Sequence, residues 1–187
     1  MNNRNSNRFH ILTGGPGSGK TTLIEALCAL GFACSVEAGR AIIQDQVAID
    51  GRALPWHDPL LFAELMLCWE MRSYRIAELT DGPVFFDRGV PDVLGYLRLT
   101  NIPVPDYMQK AAREFCYNPV VFIAPPWREI FRPDVERKQD FEEALRTYDA
   151  LASTYSALGC QLVELPRLTV EERVRFILDY LGMAQLR

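Results

Sequence analysis

Short apolar runs alternate along the chain with longer segments of helical periodicity. Five runs predict β-strands, at residues 9–13, 32–36, 84–87, 120–124 and 161–165. Between them apolar residues recur every three or four positions, most regularly over residues 140–158, which predicts amphipathic helices. Strands that alternate with helices favour a parallel sheet with right-handed connections. We therefore predict an α/β fold in three layers, a five-stranded parallel sheet with helices on both faces.

Residues with capping preferences mark where several helices begin. Asp58 followed by Pro59 predicts the start of a helix that runs to about residue 79. Asp140 and Thr169 each precede a glutamate by three positions, which is capping-box spacing. One or two helices are predicted between residues 91 and 117, with a break at the prolines near residues 101–105.

Composition fits one globular domain and narrows the classes of function. The 187 residues can bury a full core, with 49% hydrophobic and 24% charged residues. No apolar run approaches the length of a transmembrane helix, so we expect no membrane association. A net charge of −4 argues against general nucleic-acid binding. We expect residues 1–8 to form a disordered tail and residues 9–187 to form the domain, and nothing in the sequence indicates an oligomeric state.

Five cysteines are scattered through apolar segments without C-x-x-C spacing. This pattern predicts reduced thiols in the core of a cytoplasmic protein, with neither a disulfide framework nor a zinc site.

A glycine-rich segment carries the strongest chemical signal. It consists of Gly14, Gly15, Pro16, Gly17, Ser18, Gly19, Lys20 and Thr21, followed by Thr22. The pattern Gly-x4-Gly-Lys-Thr between a strand and a helix is typical of a P-loop, whose glycines let backbone N–H groups surround phosphate oxygens. The helix that follows adds its positive N-terminal end. We expect Lys20 to neutralise the outer phosphates and Thr21 to bind Mg²⁺, which predicts ATP or a close relative and Mg²⁺ as cofactors.

A second acid follows the strand at residues 84–87. Asp87 stands where P-loop proteins place a carboxylate that reaches the Mg²⁺ shell, although a strand-end acid can also cap the next turn. Arg88 comes next, where ATP hydrolases of the AAA type usually place a glutamate, and the Asn-Lys-x-Asp signature of small GTPases is absent from the sequence. These features favour transfer to a bound acceptor over transfer to water.

The chain resembles the small P-loop kinases, especially the AAA-like family of predicted ATPases and kinases related to the ribosylnicotinamide kinase domain. It is similar, more loosely, to deoxynucleoside and thymidylate kinases. The resemblance covers roughly residues 9–181 and includes the P-loop, Glu37 after the second strand and Asp87-Arg88-Gly89 after the third. It implies an arginine-rich lid over about residues 125–139, with Arg128, Arg132 and Arg137.

The resemblance and the strand positions together suggest roles for these side chains. Glu37 is the candidate general base for an acceptor hydroxyl, unless it only caps the helix that begins near residue 39 or Asp87 takes that role. Lys20, Asp87 and Arg88 complete the central catalytic set.

The lid arginines are expected to close over ATP. Arg128 and Arg132 are expected near the transferring phosphoryl group and Arg137 at the nucleotide. The alternative is a solvated helix face paired with neighbouring acids.

We therefore predict a Mg-ATP-dependent kinase that moves the γ-phosphoryl group to a hydroxyl of a small molecule, with nucleoside-like compounds among the candidates. A regulatory nucleotide switch acting on a partner protein is one alternative. A triphosphate hydrolase in which Glu37 activates water is another. Aromatic residues lie near the expected acceptor side, where Trp56 could stack on a flat ring, whereas Phe62 and Trp69 have the spacing of core residues.

Overall fold

Five parallel strands form one sheet in this computed structural model, which describes residues 6–132 and 140–183. The strands are β1 (Phe9–Gly14), β2 (Ala33–Cys34), β3 (Val84–Asp87), β4 (Val120–Ala124) and β5 (Gln161–Glu164). Their order across the sheet is β2-β3-β1-β4-β5, and all four neighbouring pairs are parallel. The helices are α1 (Lys20–Ala29), α2 (Ala38–Ala48), α3 (Pro59–Ala77), α4 (Val90–Leu99), α5 (Asp106–Glu114), α6 (Phe141–Ala157) and α7 (Val170–Tyr180).

Different helices cover the two faces of the sheet, which confirms the predicted three-layer architecture. On one face Leu12, Phe85 and Phe122 pack against apolar residues of α1 and α7. On the other face Phe9 and Phe86 pack against residues of α3 and α6. Within residues 6–132 and 140–183, no helix has both the length and the apolar character needed to cross a bilayer.

The strand order places a crevice beside β1. Leu12 of β1 lies opposite Asp87 of β3, and Gly14 lies opposite Ala124 of β4. From β1 the chain passes first to strands on one side and later to strands on the other, and ligands of open α/β sheets bind where the order reverses in this way. The glycine-rich segment follows β1 directly, so it opens into this crevice.

The capping residues in the sequence correctly predicted the starts of three helices. Asp58 and Asp140 each accept a hydrogen bond from the backbone N–H three residues later, and Thr169 forms a reciprocal capping box with Glu172. The second strand is shorter than the predicted residues 32–36, because β2 is an edge strand and the chain soon leaves it to begin α2.

Two expectations outside the core are corrected. Residues 6–8, expected to belong to a disordered tail, form a short 3-10 helix, and the Arg8 guanidinium donates to the carbonyl oxygens of Thr80 at 2.5 Å and Gly82 at 3.1 Å. The cysteines are free as expected, but none is a buried core residue: Cys28, Cys68 and Cys116 are exposed and the other two are partly exposed. Helical apolar segments also contain outward-facing positions, and Cys28 of α1 and Cys68 of α3 lie at such positions.

Candidate active site

The P-loop adopts a backbone conformation that depends on glycine. Gly14, Gly17 and Gly19 have φ values of 134°, 67° and 78°, a region that side chains disfavour. A Cβ at Gly14 would lie 2.5 Å from the carbonyl oxygen of Ala124. The tight turn is therefore built against β4 and directs the chain into α1, whose first residue is Lys20.

Polar side chains of this segment meet at the N-terminus of α1. Lys20 Nζ donates to the carbonyl oxygen of Gly15 at 2.9 Å and contacts Ser18 Oγ at 3.3 Å. Thr21 and Thr22 follow in the first turn of the helix and are exposed. A cation and three hydroxyl groups therefore lie at the positive end of a helix, an arrangement suited to phosphate groups.

These residues line a cavity of about 720 Å³, here called the P-loop cavity. Residues 16–22 form one side, and the rest of the lining includes Glu37, Arg40, Arg88, Trp127, Arg132 and Arg173. Its four arginines and Lys20 make it a basic cavity, as a triphosphate requires.

Asp87 ends β3 next to the P-loop and is 4% exposed. Its backbone N–H donates to Ser35 Oγ at 3.1 Å, but its buried Oδ1 has no hydrogen-bond partner. Burial raises the pKa of Asp87, and nearby Lys20 opposes that effect. Mg²⁺ usually keeps several waters and takes only one or two carboxylates beside phosphate oxygens. The unpartnered Asp87 oxygen and the Thr21 hydroxyl fit such a site, although no cluster of three metal-binding side chains occurs in the described part of the chain.

Arg88 joins two carboxylates beside Asp87. Its Nε lies 3.3 Å from Glu37 Oε1, and its Nη1 lies 3.3 Å from Asp92 Oδ1. Burial alone would lower the pKa of Arg88, but the surrounding carboxylates of Glu37, Asp92 and Asp87 raise it, so the side chain stays charged. Glu37 occupies the N-cap position of α2 without making a side-chain capping bond. The Arg88 contact is one interaction that orients its carboxylate.

Sequence reasoning missed Asp92, a carboxylate of the site with four hydrogen-bond donors around it. Asp92 is 6% exposed, and besides Arg88 it accepts hydrogen bonds from Thr13 Oγ1 and Tyr155 Oη, each at 2.5 Å, and from the Gly89 N–H at 3.0 Å. Tyr155 of α6 is fully buried, and its hydroxyl is the donor of one of these bonds. The sequence feature that could have identified Asp92 is its position three residues after Gly89, where a helix begins.

The two described arginines of the predicted lid make different contacts. Arg132 lines the P-loop cavity. The Arg128 guanidinium instead lies over the Phe141 ring, 4.2 Å from its centroid. Arg137 lies outside the described residues.

The site also includes an arginine that the sequence did not identify, because the pattern of α7 indicates only an amphipathic helix. Arg173 is 2% exposed and lines the P-loop cavity. Its Nη1 donates to the carbonyl oxygen of Ser18 at 3.2 Å.

A second cavity of about 440 Å³, here called the α3/α4 cavity, adjoins the first. Its apolar walls include Phe62 and Met66 of α3, Val93 of α4 and Leu151 of α6. Pro16, Glu37 and Arg88 line both cavities. The two spaces therefore meet at the Glu37–Arg88 pair.

The aromatic residues that sequence analysis placed near this side occupy different environments. Phe62 is buried, as its spacing predicted, and it also lines the α3/α4 cavity. Trp56 lines the same cavity and is 59% exposed. Trp69 is only partly buried and lines a separate groove beside β2.

Glu70 and Tyr96 are two of the polar residues that line the α3/α4 cavity. Glu70 of α3 is 2% exposed, and the Tyr96 ring of α4 packs edge-on against Phe62 with centroids 5.4 Å apart. Burial, followed by the nearby charges of Asp92 and Asp87, raises the pKa of Glu70 well above its usual range.

A protein-family model described as "AAA domain" (AAA_28) matches residues 9–173. No curated protein matches the sequence.

Solved structures with the same fold come from P-loop kinases and related proteins. Deoxyadenosine kinase from M. mycoides with bound dATP has a TM-score of 0.66 at 14% identity, covering 94% of this chain and 99% of that one. NadR protein in complex with NR has a TM-score of 0.68 at 18% identity, and the match covers 94% of this chain but 51% of that one. Thymidylate kinase from Ehrlichia chaffeensis has a TM-score of 0.61 at 14% identity, with 92% and 97% coverage. The predicted resemblance to small P-loop kinases is thereby confirmed at the level of fold.

Proposed function

Because this chain belongs to the AAA domain family and shares the fold of P-loop kinases, we propose that it is a Mg-ATP-dependent phosphotransferase acting on a hydroxyl of a small molecule. One observation carries the proposal: a basic P-loop cavity and a mainly apolar second cavity meet at Glu37 and Arg88. A kinase needs two such adjoining spaces, one for the donor and one for the acceptor.

The P-loop cavity is the proposed donor side. Lys20 and the N-terminus of α1 would hold the outer phosphates, and Arg132 and Arg173 line the same cavity. Thr21 and Asp87 would hold Mg²⁺, which when bound neutralises charge on the phosphates. Neighbours with the same fold bind dATP in one case and AMP-PNP in another, which supports an adenine nucleotide as donor.

The α3/α4 cavity is the proposed acceptor side. An acceptor there would present its hydroxyl to Glu37, whose carboxylate would take the hydroxyl proton as the new bond to the γ-phosphorus forms. The bond between that phosphorus and its bridging oxygen breaks, and ADP leaves. Arg88 holds Glu37 in place through its Nε, so we assign it an orienting role.

A direct test compares ADP release from Mg-ATP alone with release in the presence of hydroxyl-bearing compounds such as nucleosides, vitamins and sugars. The proposal expects slow release that one class of acceptor stimulates strongly. Fast release without any acceptor would instead identify a triphosphate hydrolase. Tight ATP binding with no stimulation by any compound would favour a nucleotide switch.

A further inference from the structure

Two buried polar atoms of the α3/α4 cavity have no hydrogen-bond partner. They are Oε2 of Glu70 and the hydroxyl of Tyr96. Both residues line the cavity, Glu70 from α3 and Tyr96 from α4. Leaving such groups unpaired costs free energy, and a ligand that hydrogen-bonds to them removes that cost.

Charges around the cavity determine which ligand suits these groups. Five acids and two arginines line it: Glu37, Glu70, Asp92, Asp140, Glu143, Arg88 and Arg146. Arg88 pairs with Glu37 and Asp92, and Arg146 pairs with Glu143. Asp140 caps α6. Among the described acids that line the cavity, Glu70 is thus the one that is deeply buried and forms no ion pair.

We propose that the α3/α4 cavity recognises an acceptor through a cationic nitrogen group, such as a protonated amine or an amidinium, that donates to Glu70 and Tyr96. The apolar part of the acceptor would contact Phe62 and Met66. The inference deepens the proposed function, because the hydroxyl of the same molecule has to reach Glu37.

A neutral acceptor is the main rival. With its raised pKa, Glu70 could keep its proton and donate to a carbonyl oxygen of the ligand. The surroundings favour the cation: Asp92, Asp87 and Glu37 all act on Glu70 with negative charge, and Arg88 is the positive group that opposes them. A cation placed there is attracted to every one of these carboxylates.

Benzamidinium and benzamide are suitable probes, because they have nearly the same shape and only the first is a cation. Their binding to the full chain can be measured by calorimetry for the wild type, Glu70→Gln and a matched control, Glu64→Gln. Glu64 lies on the same helix, but its carboxylate bonds to the Tyr107 hydroxyl and is not part of the cavity lining. We expect benzamidinium to bind the wild type and Glu64→Gln roughly 10- to 100-fold more tightly than benzamide, and Glu70→Gln to lose this preference.

Three results would overturn the assignment: equal or tighter binding of benzamide, a preference that survives in Glu70→Gln, or no binding of either probe to the wild type. Should Glu70→Gln fail to fold, Tyr96→Phe provides a second variant that removes only the hydroxyl. It is expected to weaken benzamidinium binding several-fold more than benzamide binding, and an equal effect on both would count against the proposal.

Failure of this inference can be told apart from failure of the proposed function. The probes carry no hydroxyl, so their binding does not depend on phosphoryl transfer. If benzamidinium binds in a Glu70-dependent way but no acceptor is phosphorylated, the subsite stands and the kinase proposal falls. If neutral compounds are phosphorylated and Glu70→Gln does not affect them, the kinase stands and the cationic subsite falls.

Discussion

Replacing Asp92 with asparagine tests whether one buried carboxylate organises the active site. Oδ1 of Asp92 accepts from Thr13 and Arg88, and Oδ2 accepts from the Gly89 N–H and Tyr155. In the variant one of these oxygens becomes an NH2 group. Whichever way the amide points, that group faces either the Arg88 guanidinium or the Gly89 N–H, so a buried donor loses its acceptor.

The structure sets the expected size of the effect. Two displaced hydrogen bonds cost about 1 kcal/mol each, and a bond from a charged donor costs somewhat more. Breaking a buried ion pair costs about 3–5 kcal/mol, but Arg88 keeps its contact with Glu37. We therefore expect Asp92→Asn to lower the free energy of unfolding by about 3 kcal/mol. Tyr155→Phe, which removes a single donor, should cost about 1–2 kcal/mol.

Urea unfolding followed by circular dichroism measures both effects, provided that the slope with denaturant stays constant. Asp149→Asn is the matched control, because Asp149 is exposed on α6, and it should change the free energy of unfolding by less than about 0.5 kcal/mol. If Asp92→Asn were as stable as this control, the carboxylate would not hold the site together and the reasoning would be wrong.

Two further predictions concern stability and the P-loop. Burial lowers the pKa of His10 from 6.5 to about 4, because the folded state disfavours the charged imidazole. The contribution of this shift to the free energy of unfolding is complete above the pKa of the unfolded state and is lost as pH falls towards 4. Urea unfolding should show this contribution decreasing by about 3 kcal/mol. The assignment would be refuted if the free energies of unfolding of the wild type and His10→Leu differed by the same amount at every pH. Gly14→Ala should abolish ATP binding, since the added Cβ would lie 2.5 Å from a β4 carbonyl oxygen. Gly31→Ala, with a φ of 91° but open space around the added carbon, should cost only about 1–2 kcal/mol and leave ATP binding intact in calorimetry; equal loss of binding in both variants would contradict this account.

Short local sequence features predicted the phosphate-binding turn and the acid beside it. The spacing of Gly14, Gly19 and Lys20 fixes a phosphate-binding turn regardless of the rest of the fold. A strand-end position was enough to place Asp87 beside it. Such local patterns did not predict the short length of β2, because the residues of the second apolar run do not reveal that β2 has a neighbour on one side only.

Contacts between distant residues account for what the sequence did not predict. The bonds from Thr13 and Tyr155 to Asp92 span 79 and 63 residues, and the bond from Arg173 to Ser18 spans 155. No periodicity or short motif relates such positions. Only the assembled sheet brings them to one edge.

The central claim is that phosphoryl transfer takes place where the two cavities meet at Glu37. The most direct measurement is the formation of labelled product from Mg-[γ-³²P]ATP and the stimulating acceptor by the wild type and Glu37→Gln, with Glu64→Gln as control. The amide keeps the size of Glu37 and an oxygen that can face Arg88, so ATP binding should persist. We predict that Glu37→Gln forms product about 10²- to 10⁴-fold more slowly while Glu64→Gln is unaffected. Product formation by Glu37→Gln at the wild-type rate would contradict the account.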